Sequence, residues 1–327
     1  MSGDPHDWEA LRQQRLARLP AETRAALLAR AGWPPFEELG VGGFRERMSA
    51  YTQAPVESDD IEWRDISVPG TAGVIPMRLF RPRGRERVRG ISLYVHGGGF
   101  IGGGGLDGYT PACVGMARTI DCIVALPDFR LPPEHKFPAA IDDVWTILQW
   151  LSANADAIGG DARRIAIGGG CTGATHAAAA AIMARDAGLP PLRLQWLFDA
   201  LLDARCDYRS HAENGRGYQL STADNRYIIR RYLNRAEERW DWRVSPVLAP
   251  SLRGVAPALI VAAEFDILRD EMEFYANRLR DAGVAVDHRC YPMEGHSFSF
   301  GEDPGKLSPA GIDARTAQAD ALREALD

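Results

Sequence analysis

From Ile91 onward, short apolar runs alternate with longer stretches of helical periodicity. The runs Ile91–Val95, Ile123–Leu126, Ile165–Ile167, Leu192–Phe198 and Ala258–Ala263 read as strands, as does the more polar segment Val286–Tyr291. Ile141–Ala153 and Ala174–Arg185 read as helices between them. That alternation predicts a mostly parallel sheet with helices on both faces. Two further strands are expected upstream, at Ile61–Val68 and Val74–Arg81. The chain begins with two amphipathic segments, Trp8–Leu19 and Ala21–Ala31, and Pro20 suits the first turn of the second. Trp33-Pro34-Pro35-Phe36 breaks the pattern, and Gly40–Phe44 is expected to be a loop.

The alternation stops between Asp203 and Trp242, where Arg, Asp, Tyr and Asn dominate. Inside this insertion Ser221-Thr222-Ala223-Asp224 reads as a helix start. Ile228, Ile229, Tyr232 and Leu233 then share one helical stripe.

Composition narrows the function classes. A chain of 327 residues with 46% hydrophobic content can bury one large core. Its net charge is −6, with both signs dispersed, so nucleic acid is not an expected partner. The N-terminus lacks a basic and then apolar signal pattern, and no apolar run approaches the ~20 residues of a membrane helix. A cytoplasmic location and no membrane association are the expectations. Five scattered cysteines, Cys113, Cys122, Cys171, Cys206 and Cys290, form no C-x-x-C pair, so neither a zinc site nor a disulfide framework follows.

One of those cysteines stands in a special place. The strand Ile165–Ile167 leads through Gly168-Gly169-Gly170-Cys171-Thr172-Gly173 into the alanine-rich helix. Gly169-x-Cys171-x-Gly173 has the form of a sharp strand-to-helix elbow carrying a nucleophile at its tip, with a thiol where serine is usual. The helix behind it aims backbone N–H groups and a positive dipole end at the tip, which favours a thiolate. Taken alone, the motif could also be a small buried thiol at a tight junction.

Three further segments favour chemistry. His96-Gly97-Gly98-Gly99-Phe100 follows the strand Ile91–Val95, and bare backbone there can point N–H groups at an oxyanion. Asp266 ends the strand Ala258–Ala263, and His296 lies in a loop after Val286–Tyr291. The chain order nucleophile, acid, histidine separates this pattern from the orders of chymotrypsin-like and subtilisin-like proteases. With Asp128-Phe129-Arg130-Leu131-Pro132-Pro133-Glu134-His135 and Asp266-x-Leu268-Arg269-Asp270-Glu271, the chain resembles the hormone-sensitive-lipase-like branch of the α/β-hydrolases from about residue 60 to the end. The elbow departs from that branch's G-D-S-A-G-G: Gly170 replaces the acid, Cys171 the serine, Thr172 the alanine and Ala174 the last glycine.

The resemblance implies an α/β-hydrolase fold with a helical cap. Cap helices are expected at 1–55, the core at 56–327, and a cap insertion at about 203–242. It implies Cys171 as nucleophile, His296 as general base and acid, and Asp266 as its orienting carboxylate. Gly97, Gly98 and Thr172 would form the oxyanion hole. Phe100, Tyr218 and Tyr227, with Trp33, Phe36 and Phe44, are candidate pocket residues, although each is more readily read as cap packing. His96 reads as bracing the glycine loop, His135 as a satisfied hydrogen-bonding residue of the Asp128–His135 stretch, and His176 as a buried helix residue near enough to Cys171 to leave a second base open. The expected partner is a small-molecule acyl substrate, free or carrier-bound; a homodimer is left open, and no metal or organic cofactor is required. Hydrolysis of an ester, thioester or lactone is the leading reading. An acyltransferase or cyclase is the alternative, and a ligand-binding protein on a hydrolase fold is a third.

Overall fold

The computed structural model describes residues 5–29, 34–49, 57–84, 87–300 and 307–327. Eight strands form one sheet: β1 (Ile61–Gly70), β2 (Gly73–Pro82), β3 (Arg89–Val95), β4 (Ile123–Pro127), β5 (Gly160–Gly170), β6 (Leu194–Phe198), β7 (Ala258–Phe265) and β8 (Val286–Gly295). Their spatial order is β1-β2-β4-β3-β5-β6-β7-β8. The pairs β1–β2 and β2–β4 are antiparallel, and every later pair is parallel.

The helices are α1 (Pro5–Ala17), α2 (Ala21–Ala29), α3 (Phe36–Ser49), α4 (Thr110–Ile120), α5 (Ala139–Asn154), α6 (Thr172–Asp186), α7 (Arg209–Glu213), α8 (Thr222–Tyr232), α9 (Arg269–Asp281) and α10 (Pro309–Leu326). They explain why the central strands are largely apolar on both faces. Along β7, Ala258, Ile260 and Ala262 join the core shared with α5, α6 and α9. The alternate residues Leu259, Val261 and Ala263 join the core shared with α4 and α10. A strand covered on both faces has no polar side to show.

The expected strands are all present, and β5 is longer than its apolar run suggests. The expected loop at Gly40–Phe44 is instead inside α3, which kinks at Gly40 (φ 64°, ψ −179°). Gly40 can take that left-handed conformation without a Cβ penalty, so the helix bends rather than ends. The helix start at Ser221 holds: its hydroxyl accepts the Asp224 N–H at 3.0 Å. Helices α1 and α7 touch, as do α3 and α8, and α2 lies on β8. Residues 50–56, with the expected boundary between the first helices and the core, lie outside the described residues, as does Trp33. Among the described residues no helix is long and apolar enough to cross a membrane.

Candidate active site

Cys171 sits between the last residue of β5 and the first of α6, with φ 52° and ψ −124°. Such a conformation is strained for a non-glycine residue and survives only where its surroundings enforce it. They do so from both sides. The Cys171 N–H donates to Phe198 O at 2.9 Å, and its carbonyl accepts the Ala174 and Leu201 N–H groups at 3.2 and 3.4 Å. A Cβ at Gly169 would lie 2.0 Å from Val95 O, and one at Gly173 would lie 2.2 Å from the same atom. The spacing G-x-C-x-G thus records how closely the elbow presses on β3. Ala177–Ala181 are all essentially buried, and their small side chains let α6 lie close to the sheet.

His296 follows β8 and is 7% exposed. Its Nδ1 meets Asp266 Oδ2 at 2.7 Å, and the other Asp266 oxygen accepts the Leu268 N–H at 3.0 Å. The Cys171 side chain is a second hydrogen-bond partner of His296. Burial opposes charge on this imidazole. The Asp266 carboxylate and the Cys171 sulfur outweigh it and hold the His296 pKa well above the ordinary histidine range. Thiol, imidazole and carboxylate, far apart in the chain, therefore stand in one line.

The glycine loop closes on the same point. A Cβ on Gly97 would lie 2.7 Å from Gly170 O and 3.4 Å from the Cys171 Cβ. Gly98 has φ 121°, and its carbonyl accepts the Gly102 N–H at 2.9 Å. The N–H groups of Gly97, Gly98 and Thr172 donate to no other described residue. His96 braces the loop: its Nδ1 lies 2.8 Å from Gly97 O, and its ring stacks on Phe129 and Tyr109 at 4.2 and 5.1 Å.

The aromatic candidates divide. Phe100 stacks on Tyr232 at 4.0 Å and shares a core cluster with Tyr227. Phe36 and Phe44 meet edge to face in that cluster, with Phe44 against Gly99 and Gly102. Tyr218 belongs elsewhere, packed with Leu16, Leu27 and Phe265. His176 is 1% exposed among the rings of Phe100, Phe129 and Tyr232, and burial pushes its pKa down to about 3. His135 is exposed.

Several contacts at the site were not anticipated from the sequence. Thr172 Oγ1 accepts the Phe100 N–H at 3.0 Å and ties the elbow to the glycine loop. Asp199, fully buried at the end of β6, accepts the Ser297 N–H at 2.9 Å and so fixes the backbone beside His296. An acid directly after an apolar strand was the available signal, since ligand and catalytic groups gather at the carboxyl ends of parallel strands. Phe300 fills the space beside Gly170.

Known proteins resemble this chain in sequence and fold. A family model described as alpha/beta hydrolase fold matches residues 92–300. A carboxylic ester hydrolase of Mycobacterium tuberculosis, LipN, is 39% identical over 261 residues, covering 78% of this chain and 69% of that protein. An ethyl acetate hydrolase of Pseudomonas putida is 34% identical over 238 residues, covering 72% and 74%. Among solved structures, a thermostable esterase from Pseudomonas putida superimposes with a TM-score of 0.82 at 27% identity, covering 100% of this chain and 99% of that one. A thermophilic carboxylesterase cloned from a metagenomic library gives 0.79 at 32% identity, covering 89% and 97%. With the sheet order, the elbow and the glycine loop, these likenesses fix the family: the chain belongs to the α/β-hydrolases, in their hormone-sensitive-lipase-like branch.

Proposed function

We propose that this protein hydrolyses carboxylic esters through a thioester acyl-enzyme on Cys171. The observation that carries the reading is the contact of His296 with both the Cys171 side chain and the Asp266 carboxylate, at the tip of a strained elbow. Cys171 attacks the ester carbonyl, and its proton resides on His296. The Gly97, Gly98 and Thr172 N–H groups receive the developing oxyanion, each worth ~3 kcal/mol of barrier. His296 passes its proton to the leaving alkoxide, and the thioester forms as the C–O bond breaks. Water, deprotonated by His296, then attacks the thioester, and the thiol leaves. Asp266 keeps the imidazole oriented and stabilises its charged form. The relatives named above are ester hydrolases, which supports water as the acceptor. We assign α1–α3, α7 and α8 as the cap over this site.

The thiol itself supports a second reading, acyl transfer. A thioester is readily attacked by amines and thiols, so a non-water acceptor could compete for the acyl group.

The test is release of p-nitrophenol from p-nitrophenyl acetate by the purified protein. Wild type turns over, whereas Cys171→Ala and His296→Ala lose activity by several orders of magnitude while keeping their fold. Equal turnover in all three would remove Cys171 and His296 from the mechanism.

A further inference from the structure

A buried amide from outside the sheet holds the polypeptide that carries Asp266, beside the Ser210 hydroxyl that donates to Ile267 O. Asn214, just after α7, is fully buried. Its Nδ2 donates to the Asp266 carbonyl at 2.8 Å and to the Glu264 carbonyl at 3.1 Å. Pairing of β7 with β8 shifts register between Ala263 and Phe265, so Glu264 has no strand partner, and the ladder's last pair is Phe265 with Gly295, just before Asp266. The amide oxygen of Asn214 accepts from Arg15 Nη1, on α1, at 2.9 Å. Arg15 is fixed in turn: its guanidinium lies 4.4 Å from the centre of the Phe265 ring and reaches the Glu264 carbonyl and carboxylate at 3.4 and 3.5 Å. Glu213 pairs with Arg15 at 3.8 Å and with Arg269 at 2.9 Å. The first helix is thus wired through one asparagine to the backbone of the carboxylate that orients His296.

We infer that Asn214, oriented by Arg15, is a positioning residue for the Asp266–His296 pair, so that the Arg15–Asn214 contact with the first helix sets the reactivity of the site. The inference rests on the Cys171–His296–Asp266 reading and adds residues that touch neither substrate nor reacting atoms. An oxygen of Arg15's partner faces the guanidinium and both amide hydrogens face carbonyls, so only this orientation of the Asn214 side chain satisfies all three groups. Loss of the amide leaves the Asp266 and Glu264 carbonyls without these donors and lets the carboxylate drift from Nδ1. Displacements of about an ångström in a supporting shell can reduce rate by up to about a hundredfold without weakening substrate binding.

The test uses the full chain and two readouts. The first is the kcat and KM split on p-nitrophenyl acetate. The second is the pH dependence of Cys171 carboxymethylation by iodoacetate, whose negative charge is drawn by the His296 imidazolium and so reports loss of that proton. Asn214→Ala should lower kcat about tenfold or more with KM changed less than about twofold, and should move the alkaline limb of carboxymethylation to lower pH. Arg15→Ala should shift both in the same direction, with part of the loss restored by Arg15→Lys. Arg12→Ala, which removes a neighbouring contact of α1 to Gly217 O, should leave the limb in place. An unmoved limb and unchanged kcat in folded Asn214→Ala and Arg15→Ala proteins would overturn the inference. Should Asn214→Ala fail to fold, the half-buried Arg15 pair of variants decides alone. Absence of any alkaline limb in wild type would instead count against the thiol–imidazole reading itself.

Discussion

The ring of Phe300 occupies the place a side chain on Gly170 would need: a Cβ there would lie 2.2 Å from Phe300 Cζ. Phe300 also meets Phe198 edge to face at 6.1 Å. With Phe300 in this place, the acid that usually precedes the nucleophile in this branch has no room at position 170. Gly170→Ala should cost ~1–3 kcal/mol of stability as an overpacked site. Phe300→Ala should relieve that cost, giving a coupling of ~0.5–3 kcal/mol in a double-mutant cycle followed by urea unfolding. Simple additivity would sever the two positions.

Thr172 makes the second departure from the branch pattern intelligible. Its hydroxyl takes the Phe100 N–H, which is buried and would otherwise lack a partner. Thr172→Val keeps the shape and removes the acceptor. It should cost ~1–3 kcal/mol in stability and lower kcat/KM on aryl esters, whereas Thr172→Ser should resemble wild type on both measures.

Much of this site was legible in the sequence because its constraints are local. The elbow's signature sits within five residues, Gly169 to Gly173, even though the β3 backbone that enforces it, Val95, is far away in the chain. The central strands β3, β4, β6 and β7 announced themselves because both faces are buried, so each is a largely apolar run. Helix α9 was harder to see. Only Met272, Tyr275, Ala276 and Leu279, with the unexpected Glu271, turn inward, and charged residues fill the rest of Arg269–Asp281. Asn214 could not be distinguished from other polar residues of the insertion, because its partner Arg15 lies 199 positions away. Tyr218 was an equal of Phe100 and Tyr227 in the sequence; only tertiary packing sends it to Phe265 instead.

The raised pKa of His296 carries a sign. For the folded protein, protonation of His296 is favoured over the unfolded chain. The resulting stability is fully present below about pH 6.5 and is lost as pH rises through the higher folded value. Activity that depends on the imidazolium should fall over the same alkaline window. Cys171→Ser should behave oppositely: a hydroxyl needs neutral His296 as its base, so its kcat/KM should rise with pH as His296 loses its proton, at a lower pH than in wild type because the sulfur that helps hold that proton is gone. Parallel pH–rate profiles of the two proteins would contradict this account of the thiol.

His176 is expected to govern acid stability rather than catalysis. Burial holds its pKa at about 3, while an unfolded histidine titrates near 6.5. Between those values the unfolded chain binds the extra proton, so the fold loses up to about 1.4 kcal/mol for each pH unit of fall. His176→Leu removes this group together with a buried Nδ1 that has no hydrogen-bond partner. Urea midpoints measured between pH 7 and pH 4 should decline less steeply in the variant. An identical slope would locate the acid sensitivity elsewhere, with buried His211, whose pKa burial lowers to about 4, the next group to replace.

The central claim is that Cys171 carries the acyl group, and intact-protein mass after rapid acid quench of a p-nitrophenyl ester reaction tests it most directly. One acyl increment should appear, map to Cys171 by peptide fragmentation, and disappear on treatment with neutral hydroxylamine. It should be absent from His296→Ala, while exposed Cys290 stays unmodified in both proteins. An increment on any other residue, or turnover with Cys171 replaced by alanine at the wild-type rate, would contradict the thioester mechanism.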